Sequence, residues 1–214
     1  MIDALVPIGR LADAKSRLLP AADRAAAGRL ALAMLDDVLA ALAAARRIDR
    51  VAVVTPDDAV ARHAEAAGAT ALLRREPGLN ASLDEGAAKL AWGGRDGLLV
   101  ILGDVAGATP RDLDAACDAA AALGRPGVVL CPSADGGTAV LVRTPHDAIP
   151  SRFGAESAAR HREAAAAAGV PLRELALPSL AVDLDEPDDV SRFLATAEGG
   201  AATRRVLAEL GWAS

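Results

Sequence analysis

Aromatic side chains are nearly absent from this chain of 214 residues: two Trp, two Phe and no Tyr, or 2%. A stacking platform for single-stranded nucleic acid needs aromatic faces in series, so that function class is excluded. Excess positive charge is missing as well. The formal net charge is −6, so the surface as a whole does not neutralise a phosphate backbone, and only a local basic pocket remains open. Cysteine is limited to Cys117 and Cys131, whose spacing fits no zinc motif; two partly buried thiols in a reducing cytoplasm are the expectation, ahead of a disulfide. Lysine is rarer still for its class, since Lys15 and Lys89 are the only two among 23 basic residues. No apolar run reaches 18 residues. The longest candidate, 30–45, is broken by Asp36 and Asp37 and reads as a soluble helix, not a membrane span. The N-terminus has no basic segment leading into a long apolar stretch, so no secretory signal is expected and the location implied is cytoplasmic.

Alanine fills about a quarter of the positions. The large apolar side chains therefore concentrate in a few short β-branched runs, which alternate with long Ala/Leu segments. Strands are expected at 4–8, 50–55, 69–73, 97–102, 127–131, 138–143, 172–175 and 180–184. Helices are expected at 21–46, 58–67, from Asn80 or Ser82 to about 92, 109–123, 156–168, 187–197 and 203–210. The run GLLVIL at 97–102 is apolar throughout, as in a central strand covered on both faces. Only a turn-rich link, 132–137, separates the strands at 127 and 138. A parallel crossover needs a dozen or more residues, so those two strands are expected to be antiparallel. The sum is an α/β fold with a mostly parallel mixed sheet in a single domain, 1–214.

Ligands of open α/β sheets bind beyond the carboxyl ends of the strands. After the first strand come Arg10, Lys15 and Arg17, three cations in a short loop of an acidic protein, suited to phosphate oxygens. No P-loop and no GxGxxG turn is present. After the central strand comes Gly103-Asp104, a Gly that permits close backbone approach beside a carboxylate placed to hold a divalent cation. After the run at 180–184 comes Asp183-Leu184-Asp185. Strand alternation would put both carboxylates on one face, where they repel unless a cation lies between them. In 151–161, Gly154 precedes Glu156 and Ser157 at a helix start, whose unpaired N–H groups suit an anion. There is no GxSxG elbow, no HExxH and no catalytic-cysteine context, and His63 and His146 read as surface residues.

The stretches VPIGRLADAKSRLLP (6–20), GLNASLDEG (78–86), VILGDVAGATPRDL (100–113), GGTAVLV (136–142), RFGAESAARH (152–161) and LAVDLDEPDDV (180–190) share order and spacing with a known family. Together they resemble the guanylyltransferases of coenzyme F-420 biosynthesis, which act on 2-phospho-L-lactate or phosphoenolpyruvate. The resemblance implies a nucleotide-diphospho-sugar transferase-like (GT-A-like) three-layer α/β sandwich and a nucleotidyltransferase that moves GMP from GTP to a small phosphorylated carboxylic acid. It implies Mg2+ on Asp104, Asp183 and Asp185, with Lys15 and Asp104 as the catalytic pair. Arg10, Lys15, Arg17 and Asn80 would bind the nucleotide; Thr138, Gly154 and Ser157 would bind the acid. Thr138-Ala139 favours phosphoenolpyruvate as the acceptor, with 2-phospho-L-lactate, 3-phospho-D-glycerate or a non-catalytic nucleotide-binding role as alternatives. A downstream transferase would take the activated product; no nucleic acid or membrane partner is implied. Val105-Ala106 stands where the family has Leu-Pro, and 135–137 is shorter than the family's loop.

Overall fold

Hydrophobic alternation in the strands decides the architecture. In the computed structural model, which describes residues 1–15, 18–19, 23–74, 78–91, 97–196 and 198–212, successive strand residues enter opposite apolar layers. The strands are β1 (Ile2–Pro7), β2 (Ile48–Thr55), β3 (Thr70–Leu73), β4 (Leu98–Ile101), β5 (Gly127–Pro132), β6 (Thr138–Thr144) and β7 (Leu172–Glu174). They form one sheet in the order β3-β2-β1-β4-β6-β5-β7. Strand β6 is antiparallel to both β4 and β5, and the other pairings are parallel. The antiparallel turn expected from the short 132–137 link is present.

The helices are α1 (Arg24–Ala44), α2 (Asp58–Ala66), α3 (Leu79–Ala91), α4 (Pro110–Leu123), α5 (Ser157–Ala168), α6 (Pro187–Thr196) and α7 (Ala201–Glu209). On one face of the sheet, Leu35, Val38 and Leu42 of α1 and Leu113 and Ala116 of α4 cover Val6, Ile101 and Val142. On the other, Leu83 and Ala87 of α3 and Ala158 and Ala165 of α5 cover Leu5, Val100 and Leu141. Strand residues alternate between the two layers because the side-chain period is two. The caps are those the sequence encodes: Asp57 accepts from Ala59 N–H, and Thr109 accepts from Asp112 N–H ahead of Pro110.

Helix α1 is buried on two sides. Its second stripe, with Ala27, Leu30 and Met34, packs on Val190 and Phe193 of α6 and on Val206 and Leu207 of α7. This outer cluster corrects one expectation. Residues 181–186 are not a strand; a 3-10 turn, Pro178–Leu180, leads into an irregular segment. What fixes that segment is Leu184, fully buried in the outer cluster, where such burial contributes about 1.5–3 kcal/mol. The Asp189 carboxylate then accepts from the Asp185 and Glu186 N–H groups at 3.2 and 2.8 Å. Neither Asn80 nor Ser82 caps α3, which begins at Leu79. Cys117 and Cys131 are free thiols, both buried, and burial pushes each up to about 12.

Candidate active site

Strands β1, β2 and β4 are parallel and end at one edge of the sheet; β6 runs the other way, so its first residue, Thr138, stands at that same edge. At β4 the chain turns sharply, and Gly103 N–H donates to Pro7 C=O at 3.3 Å. A Cβ on Gly103 would lie 3.2 Å from that oxygen, tighter than ordinary van der Waals contact, so the close approach that positions Asp104 favours glycine here. A cavity of about 520 Å³ opens at this edge, and Arg10, Lys15, Thr55, Ser82 and Asp104 are among its lining residues. Its loop from β1 is tied down by Asp57, whose carboxylate accepts from Leu11 N–H at 3.0 Å.

Lys15 closes the floor. Its Nζ lies 2.9 Å from Asp104 Oδ2 and 2.8 Å from Asp185 Oδ1, and its side chain is only 8% exposed. Burial alone would lower the ammonium pKa; the Asp104 and Asp185 carboxylates outweigh it and raise it. The backbone adopts an uncommon conformation to place it: Lys15 has φ +49°, and Lys15 and Glu156 are the two non-glycine residues at positive φ among the described residues. Both belong to loops at this edge, where local strain is characteristic of working sites. Asp183 is half-buried behind them. Burial first, then the negative charges of Asp104, Asp135 and Asp185, push its carboxyl up to about 6.

Sequence-expected residues therefore converge from three distant segments: Lys15, Asp104, and Asp183 with Asp185. Among the described residues, no three His, Cys, Asp or Glu side chains are gathered tightly enough to ligate one ion as they stand; the Lys15 ammonium bridges two of the carboxylates instead. The donor set still fits a hard divalent cation. Asp104 Oδ1 is buried with no hydrogen-bond partner, an unused oxygen of the kind such an ion takes, and the Asp183 and Asp185 carboxylates are near enough to interact electrostatically with each other and, for Asp183, with Asp104. Arg17 lies outside the described residues.

The second group is also assembled. Thr138 Oγ1 is 3.0 Å from Ser157 Oγ and 3.0 Å from His161 Nδ1, and all three residues are buried. His161 Nε2 accepts from Arg152 N–H at 3.0 Å. Burial, with the Arg143, Arg160 and Arg152 charges, lowers His161 to about 4, so it is neutral at physiological pH. Gly154 is exposed, at φ +117°. One expectation changes: the Ser157 and Ala158 N–H groups at the start of α5 are not unpaired, because they donate to Gly154 and Gly136 C=O at 3.1 and 3.2 Å. The hydroxyls of Thr138 and Ser157 meet there, 3.0 Å apart.

Asn80 does not present its amide to the cavity. Its Oδ1 accepts from Phe153 N–H at 2.7 Å and its Nδ2 donates to Phe153 C=O at 3.1 Å. One turn along α3, Asp84 accepts from the Ser151 N–H and hydroxyl and from the fully buried Arg143. Asp84, Arg143 and Asp135 carry no signal in the sequence that marks them. Arg143 is recognisable only as a charge at the end of an apolar strand, and Asp135 only as a turn residue.

A mixed sheet of this order, flanked by helices on both faces, is the fold of nucleotide-diphospho-sugar transferase-like proteins. A solved structure assigned as such a transferase, from Desulfovibrio desulfuricans G20, superposes with a TM-score of 0.72 at 18% identity, covering 98% of this chain and 97% of its own. Residues 2–213 match the family described as "Guanylyl transferase CofC like", and the chain belongs to that family. It is 42% identical over 201 residues to the phosphoenolpyruvate guanylyltransferase of Sphaerobacter thermophilus, covering 94% of this chain and 96% of the relative. It is 37% identical over 215 residues to the 3-phospho-D-glycerate guanylyltransferase of Phenylobacterium zucineum, covering 98% and 97%. Among the described residues, no helix is long and apolar enough to cross a membrane.

Proposed function

We propose that this chain transfers GMP from GTP to the phosphate of phosphoenolpyruvate, releasing pyrophosphate and activating a three-carbon acid for coenzyme F-420 assembly. The observation that carries the reading is the Lys15 ammonium set between Asp104 and Asp185 on the floor of a cavity large enough for a nucleotide. The bond formed joins an acceptor phosphate oxygen to the α-phosphorus of GTP; the bond broken joins that phosphorus to the pyrophosphate. The attacking oxygen is ionised at neutral pH, so no protein base is needed. The difficulty is bringing two polyanions together.

Lys15 and Arg10 bind phosphate oxygens and offset that repulsion, and Arg17 joins them in this reading. Asp104, Asp183 and Asp185 would hold Mg2+, which when bound supplies charge neutralisation and alignment of the reacting phosphates. Thr138 and Ser157 donate hydroxyls to the acid, Gly154 leaves room for it, and Asn80 serves by holding Phe153. The product is an activated acid for a downstream transferase.

The test is an acceptor screen with GTP and Mg2+, scored by pyrophosphate release. Phosphoenolpyruvate is the expected acceptor. Release with 3-phospho-D-glycerate alone would instead support the second reading, which the Phenylobacterium relative favours; release with 2-phospho-L-lactate alone would overturn both. No release with any acid, with nucleotide binding retained, would mark a binding protein on this fold.

A further inference from the structure

We infer that His161 is a positioning residue for the acceptor: fixed as its Nδ1–H tautomer by the Arg152 amide, it makes the Thr138–Ser157 hydroxyl pair turn one proton outward, toward an anionic oxygen. The inference rests on the reading of Thr138 and Ser157 as the acid-binding side chains.

The argument is a proton count. A backbone N–H can only donate, so the 3.0 Å contact from Arg152 N makes His161 Nε2 the unprotonated nitrogen. The neutral ring then carries its proton on Nδ1 and donates it to Thr138 Oγ1 at 3.0 Å. Thr138 and Ser157 hold two hydroxyl protons and share one hydrogen bond between them, at 3.0 Å. One proton is consumed in that bond. The other cannot go to His161, whose facing nitrogen is already a donor. It must leave the trio, from Thr138 or from Ser157 according to which hydroxyl donates to the other.

The opposite tautomer would reverse the outcome. With a bare Nδ1, Ser157 could donate to Thr138 and Thr138 to His161, and no proton would be exported. A single amide of the 151–154 segment thus decides whether the site is a hydrogen-bond donor. A donor site selects a carboxylate or phosphate oxygen. The ring is also held sterically: its centroid lies 5.0 Å from that of Phe153 in an edge-on contact, and the residue is fully buried. Phe153 is itself fastened at both backbone polar groups by Asn80, so the tautomer-setting loop does not depend on His161 alone.

The test combines a spectroscopic and a kinetic readout on the full chain. Long-range proton–nitrogen NMR of the side chain should find the proton on Nδ1. His161→Asn keeps a donor where Nδ1 was, whereas His161→Leu fills the volume and donates nothing. The leucine variant leaves both hydroxyl protons with the pair but removes the Nδ1–H donor that holds the Thr138 hydroxyl in one orientation, and should raise the KM for phosphoenolpyruvate about tenfold with the GTP KM unchanged. The asparagine variant should recover most of that loss even though it melts lower than the leucine variant. A purely packing histidine gives the reverse order, leucine above asparagine in both readouts. A proton found on Nε2, or an asparagine variant no better than leucine in acceptor KM, overturns the inference while Thr138→Val still raises that KM. If Thr138→Val and Ser157→Ala both leave the phosphoenolpyruvate KM unchanged, the acid-site reading falls and this inference with it.

Discussion

Lys15 and Asp104 are 89 positions apart in the chain and 2.9 Å apart in the fold, joined Nζ to Oδ2. The same ammonium meets Asp185, 170 positions away, at 2.8 Å. One side chain therefore ties the loop after β1 to the loop after β4 and to the segment before α6. It offsets the repulsion between two carboxylates that share this floor.

Replacing Lys15 with Met removes that cation and one or two charge-assisted hydrogen bonds, each of about 1.5–3 kcal/mol. The expected result is a fall of about tenfold to a hundredfold or more in kcat/KM for GTP. Steady-state kinetics with isothermal titration of GTP would check it. Unchanged turnover together with unchanged GTP affinity would mean that the lysine only packs the floor.

Asp183 gives a pH signature. Its carboxyl lies at about 6 in the fold and near the ordinary value of about 3.9 in an unfolded chain. Between those values the folded state binds more proton than the unfolded state. Stability attributable to this group therefore falls as pH rises from about 4 through 6, then levels off. Asp183→Asn should flatten that slope and raise the melting temperature of the metal-free protein at a pH of about 7.5, above both values. Added Mg2+ should raise the wild-type melting temperature more than that of the asparagine variant. Thermal melts across pH, with and without Mg2+, decide both points.

Asn80 separates two roles. Because both ends of its amide are engaged by Phe153, Asn80→Ala should loosen the 151–154 loop. The KM for the acid is expected to rise by about tenfold while the KM for GTP stays within about twofold. The opposite pattern, a raised GTP KM with the acid KM untouched, would place Asn80 on the nucleotide.

Gly154 sits at φ +117°, a conformation side chains rarely adopt, and a Cβ there would lie 3.4 Å from the Arg160 guanidinium. Gly154→Val should weaken acid binding by about tenfold or more at unchanged GTP affinity. Calorimetry with each ligand separately would expose a general unfolding, which weakens both.

Local chemistry made much of this protein readable in one dimension. Alternating β-branched runs, the Thr109-Pro110 and Asp57 caps and the Gly103 turn act over a few residues, so the order of strands and helices and the antiparallel excursion at β6 follow from them. The loop of Lys15 and the carboxylates of Asp104, Asp183 and Asp185 stood out by the same means, because polar groups at the ends of apolar runs are conspicuous. The tertiary structure alone decided the rest. Asp183 and Asp185 are placed by Leu184 pegged into the α1–α6–α7 cluster and not by a strand, since burial there outweighs the local β pattern. Asn80 is engaged by Phe153, 73 positions away. The tautomer of His161 is set by the amide of Arg152 and read by Thr138, 23 positions before it. A hydrogen bond across such separations depends on how helices and loops pack against the sheet, and no periodicity or propensity within a short window encodes it.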